Sequence, residues 1–583
     1  MCGVFAAFSI EKRLRINSLQ KKSILNKLFL RGPDNQSFVN IDDNCCLAHT
    51  RLSIIDPKHS SDQPMSNLDK TIWVVFNGEI YNYKELRKLT PDYQYKTNGD
   101  TEVILALYQT FGNEFVSKLR GMFSIVIYDK KLKKIISIVD RFGIKPLYYH
   151  LNEGTIYISS RIDVINIFNK SAKLNTKAVG NYFVHGELFN DQNTFFSDVF
   201  CITSAQILSF DGFKVDKKSY WDKSSFNEDI HFDNYNDLLD HVDNILYDSI
   251  KLHRVSDVEV ALNLSSGLDS NFFRMVMSSQ NPKSEFLRCY SYCFNNPVFD
   301  DSIDFKKYDN NQFQFNTTNI DAIDIIDNLE KTILATEGPV GGMGMIGFWM
   351  NMRDARKDGI KVMMSGQGAD ELFAGYQYYI DNVSNESKKH IVLASDGTSL
   401  GVADYVNREY FGEELISNQE TFFDSSLKNL RYLDLTKRKI PKLLMWQDKL
   451  AMDHSIETRV PYLDHKVFES LFHIPKQFLI QGKTTKVILR DVAKRYAQNE
   501  FDIELCDTKK KYMPTPQREW FKKEFYHYTV NLIESSLLHK IGMIDKFRLK
   551  KSYQEYVKNP HSDNSYFIWK FINTELFFRL FFK

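Results

Sequence analysis

Cys2 stands directly behind the initiator Met1, and removal of that methionine would make it the N-terminal residue. Its thiol would then lie beside its own α-amine, whose ordinary pKa of about 7.7–8.0 leaves a useful fraction as free base near neutral pH. One residue would supply both nucleophile and base, as where an N-terminal amine activates a neighbouring side chain. Alone, Cys2 reads equally well as a small buried residue opening an apolar strand over 2–10. A secretory leader is not expected, because no basic residue precedes the apolar run and no small-residue cleavage pattern follows it.

Four further groups of residues could carry chemistry. Asn77 and the Gly78 N–H, in Phe76-Asn77-Gly78-Glu79-Ile80-Tyr81-Asn82, could form an oxyanion hole for thiolate attack on an amide. Arg51 could pair bidentately with a substrate carboxylate, and Glu79 and Asp100 could hold a substrate ammonium. The turn Leu264-Ser265-Ser266-Gly267-Leu268-Asp269-Ser270 has the N–H groups and hydroxyls to cradle a phosphate chain at a helix N-terminus, with Asp269 as a Mg²⁺ ligand. The Walker A pattern with its Lys is absent. A second turn, Ser365-Gly366-Gln367-Gly368-Ala369-Asp370-Glu371, offers close backbone approach and two carboxylates. Each has a plainer alternative: Asn77-Gly78 as a plain turn, a Ser/Gly turn, a surface Arg, or Asp370 as a helix N-cap with Glu371 in the first turn. Two strand-end turns that each join phosphate-type donors to an acid point to nucleotide–Mg²⁺ chemistry.

The elements that must position these groups fall into two rhythms. Strands are expected over 3–10, 47–55, 72–76, 122–128, 135–140 and 155–159, and helices over 18–30, 84–89 and 101–111. Asn98-Gly99-Asp100 reads as a turn followed by a helix N-cap. The short link Tyr128-Asp129-Lys130-Lys131 favours antiparallel pairing, so this part reads as α+β. A polar stretch at 211–236 is the expected boundary. Beyond it, strands over 258–264, 287–294 and 360–365 alternate with helices such as 270–277, which indicates an α/β domain with a parallel sheet and its ligand at the carboxyl strand ends. The last 150 residues or so read as mostly helical.

Bulk properties narrow the class. Lys plus Arg number 75 and Asp plus Glu 74 in 583 residues, a balance that argues against nucleic-acid or anionic-membrane binding. Seven Cys without repeated spacing do not suggest a disulfide framework or a zinc site. No apolar run approaches the roughly 20 residues of a membrane helix. The expectation is a soluble cytoplasmic protein.

Together these motifs resemble the glutamine-hydrolysing asparagine synthetase family, nearly end to end. The similarity runs through Cys2-Gly3, Arg31-Gly32-Pro33-Asp34, Arg51-Leu52-Ser53-Ile54, Asn77–Asn82, Asp100-Thr101-Glu102 and the stretch 140–148. It continues through 264–270, 365–376, 452–464 and Thr485-Lys486-Val487-Ile488-Leu489-Arg490. The resemblance implies an N-terminal-nucleophile glutaminase sandwich over 2–217, of antiparallel sheets with helices. An ATP pyrophosphatase domain with a helical C-terminal part would follow over 235–583. Cys2 would attack the glutamine amide, with Arg51, Leu52, Ser53, Ile54, Glu79 and Asp100 around the substrate and Asn77 and Gly78 stabilising the oxyanion. Ammonia would travel inside the protein to a carboxylate activated as acyl-AMP. Leu264, Tyr292, Ser365 and Gly366 would lie near ATP, Ser265, Gly267 and Ser270 would cradle its phosphates, and Asp269 and Asp370 would hold Mg²⁺. Lys486, otherwise a helix-surface Lys, would stabilise charge as pyrophosphate leaves or ammonia attacks. The resemblance also allows a homodimer, and a phosphate role for Lys509-Lys510-Lys511, which otherwise reads as a solvated loop.

Three departures from the family pattern stand out, the first at the phosphate turn and the other two at the acceptor. Ser266 stands where the family usually has a second Gly, which fits if its φ is negative. Gln367, at the acyl-adenylate site, replaces an acid common in asparagine synthetases, so Glu337 or Glu371 would have to supply any carboxylate needed. The segment 338–350 has no basic residue, whereas asparagine synthetases tend to carry an Arg there. The first expectation is amidation of aspartate. The second is another carboxylate, since the Gly-Gln-Gly variant occurs among relatives associated with surface-polysaccharide pathways, where a sugar acid would be the acceptor. The third, a non-catalytic glutamine- or nucleotide-sensing relative, is opposed by the intact Cys2, Asn77, Asp269, Asp370 and Lys486.

Overall fold

A computed structural model describes residues 2–582 apart from 171, 187–191, 226–231, 281–285, 296–298, 300–311, 385–403, 412–420, 508–514 and 563. Its first part stacks two six-stranded sheets, every pairing antiparallel. The first sheet runs in the order Phe200–Cys201, Tyr148–Asn152, Thr155–Ser159, Gly3–Phe8, Cys45–Arg51, Asn35–Asn40. The second runs Val215–Ser219, Gln206–Phe210, Lys134–Val139, Gly121–Asp129, Ile72–Ile80, Met65–Ser66.

The period-2 alternation of strands assigns the layers. From Gly3–Phe8, Val4, Ala6 and Phe8 enter the core between the sheets, while Phe5 and Ala7 pack on the helix Ser18–Leu28. From Ile72–Ile80, Val75 faces the inter-sheet core, and Val74 and Phe76 pack under the helix Thr101–Phe111. The result is a helix–sheet–sheet–helix sandwich, the expected class.

The second part is built on a five-stranded parallel sheet in the order Phe313–Ile320, Leu287–Phe294, Val260–Asn263, Val362–Met364, Glu457–Arg459. The chain winds outward in one direction from Val260–Asn263 and then returns to place Val362–Met364 on its other side. The crevice at this reversal is where open α/β sheets bind ligands. The turns after these two strands are the two turns singled out in the sequence. From Tyr526 onward the described structure is helical, ending in Tyr566–Phe581. Among the described residues no helix is long and apolar enough to cross a membrane. None of the seven cysteines forms a disulfide.

Several local expectations change. The second-sheet strand runs to Ile80, so Asn77 and Gly78 lie inside it, paired with Ser124 and Phe123. Their low strand propensity is overridden by this cross-strand register. Asp100 precedes the helix at 101 but does not cap it; its Oδ2 accepts instead from the Ile80 N–H at 2.9 Å. Ser266 is not among the residues with positive φ, so its side chain is accommodated.

Candidate active sites

Cys2 is buried at the head of the strand Gly3–Phe8. The pocket over it is lined by Arg51, Leu52, Ile54, Gly78, Glu79 and Asp100, with Gln63 and Thr101 at its edge. Thus six of the expected glutamine-binding residues converge with Cys2. Ser53 and Asn77 do not line it. The Ser53 N–H donates to Asp34 Oδ2 at 2.8 Å, away from the pocket. Asn77 lies fully buried behind Cys2, where its Oδ1 accepts from the Cys2 nitrogen at 2.8 Å and its Nδ2 points to Ser124 Oγ at 3.5 Å. In this geometry Asn77 orients the Cys2 nitrogen, and Gly78 is the member of the pair that lines the pocket. A Cβ on Gly78 would fall 2.0 Å from the Met122 carbonyl oxygen, and its φ of +148° lies outside the range of ordinary side chains.

Arg51 lines the pocket but is already occupied. Its Nη1 donates to Lys58 O and Asp62 Oδ1 at 2.8 Å each, and its Nη2 to Ile55 O at 3.2 Å and Asp56 O at 2.6 Å. The guanidinium therefore staples the loop after its strand, a task that spacing alone does not reveal. Burial pushes the Cys2 thiol up, opposed by the charge of the chain's N-terminal amine at residue 1, the Leu52 N–H and Arg51. Burial raises Asp100 to about 6. Glu79 is pushed well up by burial and by Glu457, with Arg459 pulling it back from 3.4 Å. His49, on the neighbouring strand, is driven down to about 3 by burial and is neutral near pH 7.

At the parallel sheet, the first turn is folded around its own hydroxyls. Ser265 N–H donates to Ser270 Oγ at 3.0 Å, the two hydroxyls lie 3.0 Å apart, and Gly267 N–H donates to Ser265 Oγ at 3.3 Å. A Cβ on Gly267 would meet only Ser265 Oγ, at 3.4 Å, so space lies open beside this turn. The second turn packs against it: a Cβ on Gly366 would lie 3.2 Å from the Ser270 nitrogen and 3.3 Å from Asp269 Cβ. Where the turns meet, Lys486 Nζ sits 2.6 Å from Asp269 Oδ1 and 2.6 Å from Asp370 Oδ1. Burial would lower Lys486, but the two carboxylates outweigh it and hold the ammonium charged. Lys486 is buried, not on a helix surface, and has φ +56°.

A family model described as Glutamine amidotransferase domain matches residues 1–221, and one described as Asparagine synthase matches residues 241–579. The chain belongs to the asparagine synthase family. It is 29% identical to "Asparagine synthetase [glutamine-hydrolyzing] 1" of Bacillus subtilis (strain 168), covering 98% of this chain and 95% of that one. It is 28% identical to "Asparagine synthetase B [glutamine-hydrolyzing]" of Escherichia coli (strain K12), over 85% and 79%. It is 24% identical to "Amidase chyE" of Penicillium rubens, over 88% of this chain and 87% of that one.

In this member of the asparagine synthase family, several site residues escaped the sequence reading. Arg31 was visible in its motif but without a role: its Nε donates to the Cys2 carbonyl oxygen at 3.1 Å. Arg459 joins Glu457, at 2.6 Å, to Glu79, at 3.4 Å. Glu337 does not supply a spare carboxylate, because its Oε2 is bound by Lys449 Nζ at 2.7 Å and its Oε1 accepts from the Asp163 N–H at 2.7 Å. Glu371 is raised by burial to about 7 and accepts from Tyr376 at 2.8 Å. Tyr292 lies against the segment after Glu337, 3.4 Å from where a Gly344 Cβ would be. Residues 509–511 lie outside the described residues.

The donor set fits a magnesium–nucleotide. Asp269 and Asp370 converge on a single cation, and hard carboxylate oxygens suit Mg²⁺, which is usually held by one or two carboxylates together with substrate phosphates. Among the described residues there is no group of three or more His, Cys, Asp or Glu side chains placed to hold a metal ion by themselves.

Proposed function

We propose that the chain is a glutamine-dependent, ATP-consuming amide synthetase, with a glutaminase domain over 2–217 and a synthetase domain over 235–583. The supporting observation is the joint presence of a pocket uniting Cys2 with Gly78, Glu79 and Asp100 and of the Asp269–Lys486–Asp370 cluster at the reversal of the parallel sheet.

With Met1 removed, the Cys2 amine takes the thiol proton and the thiolate attacks the side-chain amide carbon of glutamine. The Gly78 N–H, on the pocket wall, donates to the oxyanion as it develops. The Asp100 carboxylate holds the substrate ammonium, and Glu79, pushed up by burial, accepts a hydrogen bond from it. The amine returns the proton to the leaving ammonia, and water then cleaves the glutamyl thioester to glutamate. At the second site an acceptor carboxylate attacks the α-phosphorus of ATP, pyrophosphate leaves, and ammonia displaces AMP from the acyl-AMP. Ser265, Gly267 and Ser270 hold phosphate oxygens, and Lys486 balances the charge of the departing group. Asp269 and Asp370 would hold Mg²⁺, which would supply neutralisation of the phosphate charge. An acyl-AMP hydrolyses when wet, so the site must exclude water.

With aspartate as acceptor the product is asparagine. A second reading, amidation of another carboxylate such as a sugar acid, is favoured by the wall that starts the helix Met343–Lys357. There Gly342 lies near Gln517 and Tyr566, and Gly344 near Tyr292 and Thr515, all neutral. The deciding experiment is pyrophosphate release from ATP–Mg²⁺ with L-aspartate and ammonium, with asparagine followed by mass spectrometry. Asparagine formation establishes the first reading. Silence from protein that still hydrolyses glutamine excludes aspartate and makes another carboxylate the acceptor to test.

A further inference from the structure

The helix Ile440–Met452 touches both centres through neighbouring side chains. Asp448 reaches the first domain. Its Oδ2 lies 3.0 Å from Arg31 Nη2, and its Oδ1 lies 3.6 Å from Lys145 Nζ. All three side chains are almost wholly buried, at 1%, 2% and 0% exposure, so in this water-poor region Asp448 is the partner that balances two cations. Arg31 in turn holds the Cys2 carbonyl oxygen through Nε at 3.1 Å. Asp448 is thus one residue removed from the nucleophile.

Positions 446 and 449 lie three apart, on one side of the same helix, and face the segment that follows the helix Ala322–Thr336. Lys449 Nζ binds Glu337 Oε2 at 2.7 Å and the Thr336 carbonyl at 2.8 Å. Trp446 Nε1 donates to the Pro339 carbonyl at 2.7 Å. The Trp446 ring packs so closely on Gly341 that a Cβ there would lie 2.4 Å from it. The same segment is fastened from behind by the C-terminal helix, where Asn573 accepts from the Val340 N–H and Trp569 donates to the Val340 carbonyl, both at 2.8 Å. Glu337 has φ +53°, a conformation that persists only when its surroundings fix it. The 337–341 segment leads directly into the neutral wall described above.

We infer that Asp448 is a positioning residue for Cys2, acting through Arg31, and that the helix Ile440–Met452 ties the placement of the nucleophile to the 337–341 segment of the synthetase site. The inference rests on Cys2 being the glutaminase nucleophile. A rigid helix cannot shift Lys449 and Trp446 without moving Asp448, and a small displacement of a nucleophile costs turnover more than binding. The helix thereby offers a route by which the acceptor side sets the rate at which ammonia is made.

The test is steady-state glutamate release from glutamine by the full-length protein, with no ATP or acceptor added. Asp448→Asn keeps the shape and removes the charge. Arg31→Lys keeps the charge facing Asp448 and removes the donor to Cys2. Each is expected to lower kcat roughly tenfold to a hundredfold while KM stays within about twofold. The double variant is expected to be no slower than the slower single one, since both break one connection. Trp446→Phe, which loses the bond to Pro339 and part of the ring packed on Gly341, is expected to lower kcat severalfold in the same way although it touches nothing in the glutaminase pocket. Wild-type kcat in Arg31→Lys or in folded Asp448→Asn, a loss carried by KM, or losses that multiply in the double variant would overturn the positioning role. Wild-type kcat in Trp446→Phe would overturn the tie to the second site. If Asp448→Asn does not fold, Arg31→Lys and Trp446→Phe decide the matter. No glutamate release from the wild-type protein would instead refute the glutaminase reading itself.

Discussion

The nitrogen of Cys2 donates to Asn77 Oδ1 at 2.8 Å. That nitrogen is the one that becomes the α-amine once Met1 is removed, so Asn77 directs the base toward the thiol beside it. The bond is made in the sandwich interior, where Asn77 has no exposed surface. Asn77→Ala should therefore lower kcat for glutamine hydrolysis by roughly 10²-fold, in the range seen when one oriented polar partner of the reacting groups is removed. Cys2→Ala should abolish glutamine use and leave ammonium-dependent pyrophosphate release intact. Loss of both activities in folded Cys2→Ala protein would contradict two separate centres.

Backbone space at the two centres predicts two alanine variants. Gly78→Ala would place a Cβ 2.0 Å from the Met122 carbonyl at φ +148°. The strained backbone and the overpacking together should cost on the order of 3 kcal/mol, read as a lower denaturation midpoint along with lost glutaminase activity. Gly375→Ala would place a Cβ 2.0 Å from Asp370 Oδ1 and 2.2 Å from Lys486 Cε. It should remove ATP-dependent turnover and spare glutamine hydrolysis, because its clash falls on the ion pair of the second centre alone.

The parts of this fold legible in the sequence are those where local pattern and tertiary role agree. The apolar strands Gly3–Phe8 and Leu287–Phe294 and the two Gly-containing turns at strand ends are of this kind. The strands Asn35–Asn40 and Phe313–Ile320 were missed because they sit at sheet edges, where one side of the ladder meets no partner and polar residues are tolerated. Asn77 and Gly78 read as a turn because their types favour one, and only pairing with the strand Gly121–Asp129 makes them strand. Asp100 reads as a cap because it precedes a helix, yet the Ile80 N–H captures its carboxylate. Arg31 and Asp448 are hundreds of positions apart, and no spacing rule connects them. The candidate residues stand out in the sequence by their motif types; what each one touches does not.

Lys486 is the cation between Asp269 and Asp370, at 2.6 Å from each. Lys486→Met should abolish pyrophosphate release and spare glutamine hydrolysis. It should also lower stability by about 3–5 kcal/mol, the usual result of removing one partner from a buried charged cluster. Because Asp269 and Asp370 would then lack their cation, added Mg²⁺ should raise the melting temperature of Lys486→Met more than that of the wild-type protein. An equal Mg²⁺ response in the two proteins would count against Asp269 and Asp370 as the metal ligands.

For the proposed glutaminase reaction, Asp100 predicts a second acid limb. Burial raises its carboxyl to about 6, so it is ionised at neutral pH and becomes neutral as pH falls through that value. A neutral Asp100 holds a substrate ammonium poorly, so kcat/KM for glutamine must fall. The Cys2 amine contributes its own limb, since protonation below its ordinary value of about 7.7–8.0 removes the base. Log kcat/KM should therefore fall with a slope of about one below the amine value and steepen toward two below about pH 6, because kcat/KM reports the free enzyme's groups. Asp100→Asn should raise KM already at neutral pH and lessen the steepening. Glutamate-release rates across the range of about pH 5–9 provide the measurement. A single limb in the wild-type protein would remove Asp100 from ammonium binding.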